Sequence, residues 1–250
     1  MTIKRILGVL AVLALAASAN AAEIKVLCTN GVKAVVDELI PQFERNNTSG
    51  DKVRIQFEPS TQLKKRIDAG EAFDLVIMTT ALIEEEIAAG RLLEVSRTFI
   101  ARSGLGVSIR SGAKKPNIST VNAFKNALLN AESITYATQG ASAAPFEVLV
   151  AKLGITAALK PKYNLRPTAS EVGQAVSTGV VELGIAPVSE ILPVRGVDLV
   201  GPFPKEIQSY VELTAALSAS AKEKDAAGKL LAFLIAPPNL PVYKEKGMER

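Results

Sequence analysis

Four passages from an apolar run into a helical pattern carry the same kind of residue. Thr29-Asn30-Gly31 follows Ile24–Cys28, and Pro59-Ser60-Thr61 precedes a second helical pattern. Thr138-Gln139-Gly140-Ala141-Ser142 leads into a helix at Ala143, and Thr168-Ala169-Ser170 into another that includes Val172. Small hydroxyl and amide side chains at these points leave backbone amides bare. A helix start has N–H groups without intrahelical acceptors and about half a positive charge from its macrodipole. Several such starts facing one cleft would bind an anion with no fixed cation. Each residue alone is equally an ordinary cap or turn former, and convergence of the starts is what separates the two readings.

Other side chains have competing readings. Arg102 lies in a long extended segment and is placed to reach a carboxylate by a bidentate contact, or to form a surface ion pair. Glu58, beside the second turn, and Glu190, after Ser189, are candidate proton acceptors, or members of ordinary salt bridges and caps. Asp74 in an apolar strand is expected to fix neighbouring backbone. Lys64-Lys65 reads as a solvated helix face, and Glu84-Glu85-Glu86 as an exposed first turn rather than a metal site. Cys28 reads as a small buried apolar group at a strand end.

Composition removes several chemistries. The 250 residues include no histidine, no tryptophan and one cysteine. Histidine triads, histidine metal sites, thiolate zinc clusters and an internal disulfide are therefore excluded. The 29 basic and 25 acidic residues give a net charge of +4, which falls to +2 without Lys4 and Arg5. No basic stripe with interleaved aromatics suggests nucleic acid.

Short β-rich runs alternate with helical patterns in positioning these residues. Strands are expected at Ile24–Leu27, Val53–Phe57 and Phe73–Met78, with helices at Val32–Glu44, Gln62–Ala69 and Leu82–Ala89. Such a series implies a mostly parallel sheet with crossover helices. Thr98–Arg110 reads as one long extended segment. Beyond it come helices at Val121–Leu129, Ala143–Leu153 and Ser170–Thr178, and strands at Ile134–Ala137, Leu183–Ala186 and Val197–Val200. Ile207–Ser218 is a second long extended segment, and helices at Lys222–Ile235 and Leu240–Lys246 close the chain. The pattern implies an α/β protein of two lobes, with residues 22–100 and 208–250 in one and 101–207 in the other. The two crossings form a hinge around a ligand cleft. A single wide sheet with an insertion is the alternative.

Lys4 and Arg5, the apolar run from Ile6 to Ala17 and Ala19-Asn20-Ala21 read as an export signal, cleaved after Ala21 or else Ala22. The run is shorter than the ~20 residues that span a bilayer. The expected mature protein is periplasmic, not membrane-embedded, and monomeric.

The stretches "FEPSTQLKKRIDAGEAFDLVIMT", "SRTFIARSGLGVSIRSGAKKPNIS", "ASAAPF" and "VELGIAPVSEILPVRGVDLVGPFP" resemble the periplasmic molybdate-binding protein family. That resemblance implies the type II two-lobe fold of solute-binding proteins of ABC importers, a small anionic ligand, transporter membrane subunits as partners, and no cofactor or metal. By position it implies ligand contacts at Asn30, Ser60 and Thr61, Ala143 and Val172; Gly31 and Ser142, in the same turns, are further candidate ligand contacts. Asn30 stands where the family has serine, and Pro187 where it has tyrosine, so the scaffold is expected to persist while the ligand changes. "ISTVNAFKNAL" and "GIAPVSEILPVRGVDLVGPFP" are more similar to a divergent branch that handles organic acids and includes a periplasmic aconitate isomerase. This branch implies a carboxylate partner for Arg102. It also raises an enzyme alternative, a 1,3-proton shift in a tricarboxylate.

Overall fold

The computed structural model describes residues 21–250, so all but the last residue of the expected export signal lies outside it. Strand β1 (Glu23–Thr29) leads through a short 3-10 turn, Asn30–Val32, into helix α1 (Lys33–Asn46). Strand β2 (Lys52–Glu58), helix α2 (Ser60–Asp68), strand β3 (Leu75–Thr79) and helix α3 (Thr80–Ala88) follow. The three strands are parallel in the order β2-β1-β3. Parallel neighbours require crossovers, and the helices supply them. Val35, Val36, Leu39 and Phe43 form the buried stripe of α1.

Strand β4 (Thr98–Arg110) matches its expected span and belongs to two sheets. Helix α4 (Val121–Asn130), strand β5 (Ile134–Tyr136), helices α5 (Ala143–Lys152), α6 (Thr156–Leu159) and α7 (Ala169–Ser177), and strand β6 (Leu183–Pro187) come next. Helix α8 (Val188–Ile191), strands β7 (Val197–Pro202) and β8 (Tyr210–Leu217), and helices α9 (Lys224–Leu234) and α10 (Leu240–Glu245) complete the chain. The first part of β4, Thr98–Gly104, pairs with β8. Its remainder pairs with β6 and β7. β8 also pairs with β3, so the first sheet closes with a strand from late in the chain. α9 returns to α1, where the Phe43 and Phe233 ring centroids lie 5.6 Å apart.

The expectation of a mostly parallel sheet is corrected here. β3–β8, β8–β4, β4–β6 and β4–β7 are all antiparallel. The second crossing is also shorter than expected, because Lys205–Ile207 forms a 3-10 turn before β8. Helices α6 and α8 were not anticipated; four residues are too few to display a helical period.

The crossings are fastened together at Gly104 and Gln208. The side-chain Oε1 of Gln208 accepts from the amides of Leu105 and Ser209, each at 2.9 Å. A Cβ on Gly104 would stand 2.9 Å from Gln208 Nε2. Glycine here allows the side-chain amide to lie flat on the strand. The expected role of Asp74 is met as well: its carboxylate accepts from the amides of Lys25, Lys222 and Glu223.

Gly184 brings the second sheet close to α7. A Cβ there would meet Ser108 Oγ and lie 2.8 Å from Val176 Cγ2. Overpacking of this kind costs about 1–3 kcal/mol. Gly184→Ala is therefore expected to lower the free energy of unfolding by that amount in a denaturant titration.

Candidate functional site

A cleft of about 540 Å³ lies between the two sheets. On one side it is lined by Asn30, Lys33, Ala34 and Asp37 at the opening of α1, with Phe57 at the end of β2. Thr168, Ala169 and Ser170 at the opening of α7 face them, with Ser189, Glu190, Pro193 and Val194. Two helix openings of adequate length thus look into one space.

The α7 opening is rigid for a local reason. Thr168 is its N-cap, and its hydroxyl accepts from the Glu171 amide at 3.3 Å. The Glu171 carboxylate accepts from the Thr168 amide at 2.9 Å. This reciprocal box satisfies two of the orphan donors and leaves those of Ala169 and Ser170 without an acceptor in the helix. Val172, expected to offer its amide, is buried and donates to Thr168 O at 3.1 Å. The open amides therefore lie two to three residues earlier in the same turn.

The other two openings meet beside this cleft without lining it. Ser60 is buried, its hydroxyl accepting from the Thr79 amide at 3.2 Å, and Thr61 is exposed. Ser142 is buried, and the amide of Ala143 donates to Gly140 O at 3.3 Å. Gln62 of α2 reaches Gln139, in the turn before α5, at 3.4 Å. The amides of Thr138 and Gln139 donate to the carbonyls of Arg166 and Pro167, which joins the α5 and α7 approaches.

Arg102 is elsewhere. It is bonded to Glu249 at 2.9 Å and stacks over Tyr210, 4.2 Å from the ring centroid. It does not line the cleft, so the ion-pair alternative holds and the ligand assignment is corrected. β4 turns this residue away from the cleft, and its backbone pairs with that of Glu249.

Three charged residues enter the site that the helix-start reading did not place there: Lys33, Asp37 and Glu190. Lys33 lies over the Phe57 ring at 4.2 Å and pairs with Asp37 at 2.7 Å. In sequence this looks like any i,i+4 pair on a helix face. Glu190 is half-buried in the cleft wall and has no hydrogen bond or ion pair among the described residues. Burial pushes its carboxyl up to about 7. Glu58, the other candidate proton acceptor, is held by Arg66 at 2.7 Å.

Ser189 ties the two walls together. Its hydroxyl donates to Gly31 O at 2.8 Å, and its amide donates to Ser103 Oγ at 3.1 Å. Gly31, expected as a ligand contact, is buried and does not line the cleft; its carbonyl is taken by Ser189. Among the more distant readings, Cys28 is buried, and burial drives its thiol far above the ordinary range. Glu86 is not exposed as expected: it is buried and bonded to Lys64 at 2.8 Å and to Arg91, which also takes Lys64 off the solvated face. Among the described residues no helix is long and apolar enough to cross a membrane.

The family model described as "Bacterial extracellular solute-binding protein" matches residues 24–249. An aconitate isomerase from a Pseudomonas species is 27% identical over 229 residues, covering 90% of this chain and 86% of that protein. The molybdate-binding protein ModA of Azotobacter vinelandii is 27% identical over 240 residues, covering 93% of this chain and 92% of that one. The solved periplasmic molybdate-binding protein of A. vinelandii shares the fold, with a TM-score of 0.76 at 18% identity over 91% of this chain and 99% of that chain.

The raised pKa of Glu190 makes a stability prediction. An acid shifted upward from 4.5 to about 7 binds more protons in the folded state, so stability falls as pH rises between those values. Glu190→Gln is expected to raise the melting midpoint at pH 8 by about 2–6 °C, and to leave it unchanged near pH 4.5. Differential scanning fluorimetry across pH reads both.

Proposed function

Since the chain belongs to the bacterial extracellular solute-binding proteins, we propose that its cleft captures a small anion, an oxyanion or an organic carboxylate, for delivery to an ABC importer. The observation that carries this reading is the meeting of the α1 and α7 openings, with Asn30, Lys33, Ala169 and Ser170 around one cleft. Backbone amides and hydroxyls match anion oxygens, and the two helix dipoles favour negative charge between them. Residues 22–100 with 208–250 form one lobe and residues 101–207 the other. Closure bends the crossings at Gly104–Leu105 and Gln208–Ser209. The mature protein acts in the periplasm after removal of a signal ending at Ala21 or Ala22, and its partners are the ligand and the importer's membrane subunits.

A thermal-shift screen tests the reading, since a ligand stabilises the folded state by mass action. Molybdate, tungstate, sulfate, and di- and tricarboxylates form the panel. At least one is expected to raise the midpoint, and a panel without any shift overturns the anion assignment. Ser170→Asp puts a like charge at the α7 opening and is expected to weaken the best ligand by about tenfold or more. Arg102→Ala is expected to leave affinity unchanged in the same titration.

A second reading, tricarboxylate isomerase, is favoured by the unpaired Glu190 in the cleft wall. A carboxylate in that place can take a proton from the methylene carbon of an allylic tricarboxylate and return it to the far carbon of the double bond. The proton and the electron pair both remain in the product, and no cofactor is required. Incubation with cis- or trans-aconitate tests this. Interconversion lost in Glu190→Gln supports it, and absence of interconversion rejects it.

A further inference from the structure

An anion site with a carboxylate in its wall needs a reason for that carboxylate. Glu190 lines the cleft with Asn30 and Ser170, and one of its oxygens lies 3.6 Å from where a Cβ on Gly31 would stand. Many charges on the neighbouring elements are committed elsewhere. On α1, Lys33 and Asp37 hold each other at 2.7 Å. At the end of β2, Glu58 is held by Arg66. On α7, Glu171 is locked in its capping box. On β4, Arg102 is bound to Glu249, and on β7, Asp198 accepts from Ser111 and Gly112. Past α10, Lys246 is shared by Glu38 and Glu245. No cation is bonded to Glu190 among the described residues, and desolvation alone raises its proton affinity.

Two negative charges in a desolvated cleft repel strongly. The repulsion turns into attraction when the ligand brings a donor, because an O–H to carboxylate hydrogen bond is short and charge-assisted. We propose that Glu190 sets the specificity of the cleft. It admits anions that present a hydrogen-bond donor to it, such as hydroxycarboxylates and hydrogen phosphate, and turns away those with acceptors only, such as sulfate and molybdate. The proposal rests on the anion reading and narrows its ligand class.

Matched pairs give the test. Calorimetric titrations at pH 8 compare malate with succinate, citrate with tricarballylate, and hydrogen phosphate with sulfate. In the wild type the donor-bearing member of at least one pair is expected to bind about tenfold or more tightly than its acceptor-only partner. Glu190→Gln, whose amide can donate to an acceptor-only anion, is expected to close that gap by strengthening the weaker member. A second readout needs no variant to fold. Lowering the pH from 8 to 6 neutralises Glu190 and is expected to strengthen binding of the acceptor-only member to the wild type, with a flat profile in Glu190→Gln. A gap that persists unchanged in the variant, or equal binding of both members with no pH dependence, overturns the selector while leaving the anion reading intact. Binding of no anion by either protein overturns both.

Discussion

The site hangs on a short relay of two buried hydroxyls. Ser103, on the strand shared by both sheets, accepts from the Ser189 amide and donates to Gly247 O at 3.1 Å. Ser189 in turn donates to Gly31 O, at the start of the first helix. Four segments that are far apart in the chain therefore meet through two side chains: β4, α8, the α1 opening and the residues after α10. Each such bond contributes about 1 kcal/mol net, yet a lost partner would strand a buried polar group at about 1–3 kcal/mol. The relay fixes how α8 sits against α1, and with it the position of Glu190. Pro187 stands where the resembling family has a tyrosine. Here the polar groups of this wall are Ser189 and Glu190, two and three positions further on.

The cleft combines neutral donors with one cation, Lys33, and two carboxylates, Asp37 and Glu190. Ala169 and Ser170 offer amides held in place by the capping box, which keeps the donors pointed without ligand-induced ordering. Lys33 lies over an aromatic face and shares its charge with Asp37, so its field at the cleft is tempered. An arrangement of that kind gives general affinity to the scaffold and leaves discrimination to the few side chains that vary. The relatives fit this division of labour: one is a molybdate-binding protein and the other an isomerase of an organic acid, each 27% identical to this chain.

Much of this was legible in the sequence because the signals are local. The β-α-β-α-β series announces its own order, and the 13 residues of β4 could be read to the residue because apolar residues recur at short intervals from Phe99 to Ile109. The buried Cys28 and the bracing role of Asp74 follow from a thiol and a carboxylate among apolar strand residues. What the sequence hid depends on partners far along the chain. Arg102 reads as a cleft residue until Glu249 appears beside it, 147 positions away. Glu86 reads as exposed until Lys64 and Arg91 fold over it. Which amides stay open at α7 depends on Thr168 being the cap, as the reciprocal bonds with Glu171 show. Glu190 was legible as a residue type but not as a lone carboxylate, because the absence of a partner is a property of the whole surface around it.

The insertion of β8 between β3 and β4 bears on how the molecule comes into being. Leu213–Leu217 bond to β3 on one side while Thr98–Gly104 bond to β8 on the other, so neither earlier strand has its neighbour until the last fifth of the polypeptide emerges. Until that moment two strand edges, Leu75–Thr79 and Thr98–Gly104, stand open to any other extended chain. A chain built this way stays unfinished until its synthesis is nearly done, and an interrupted one is left with sticky, unmated borders.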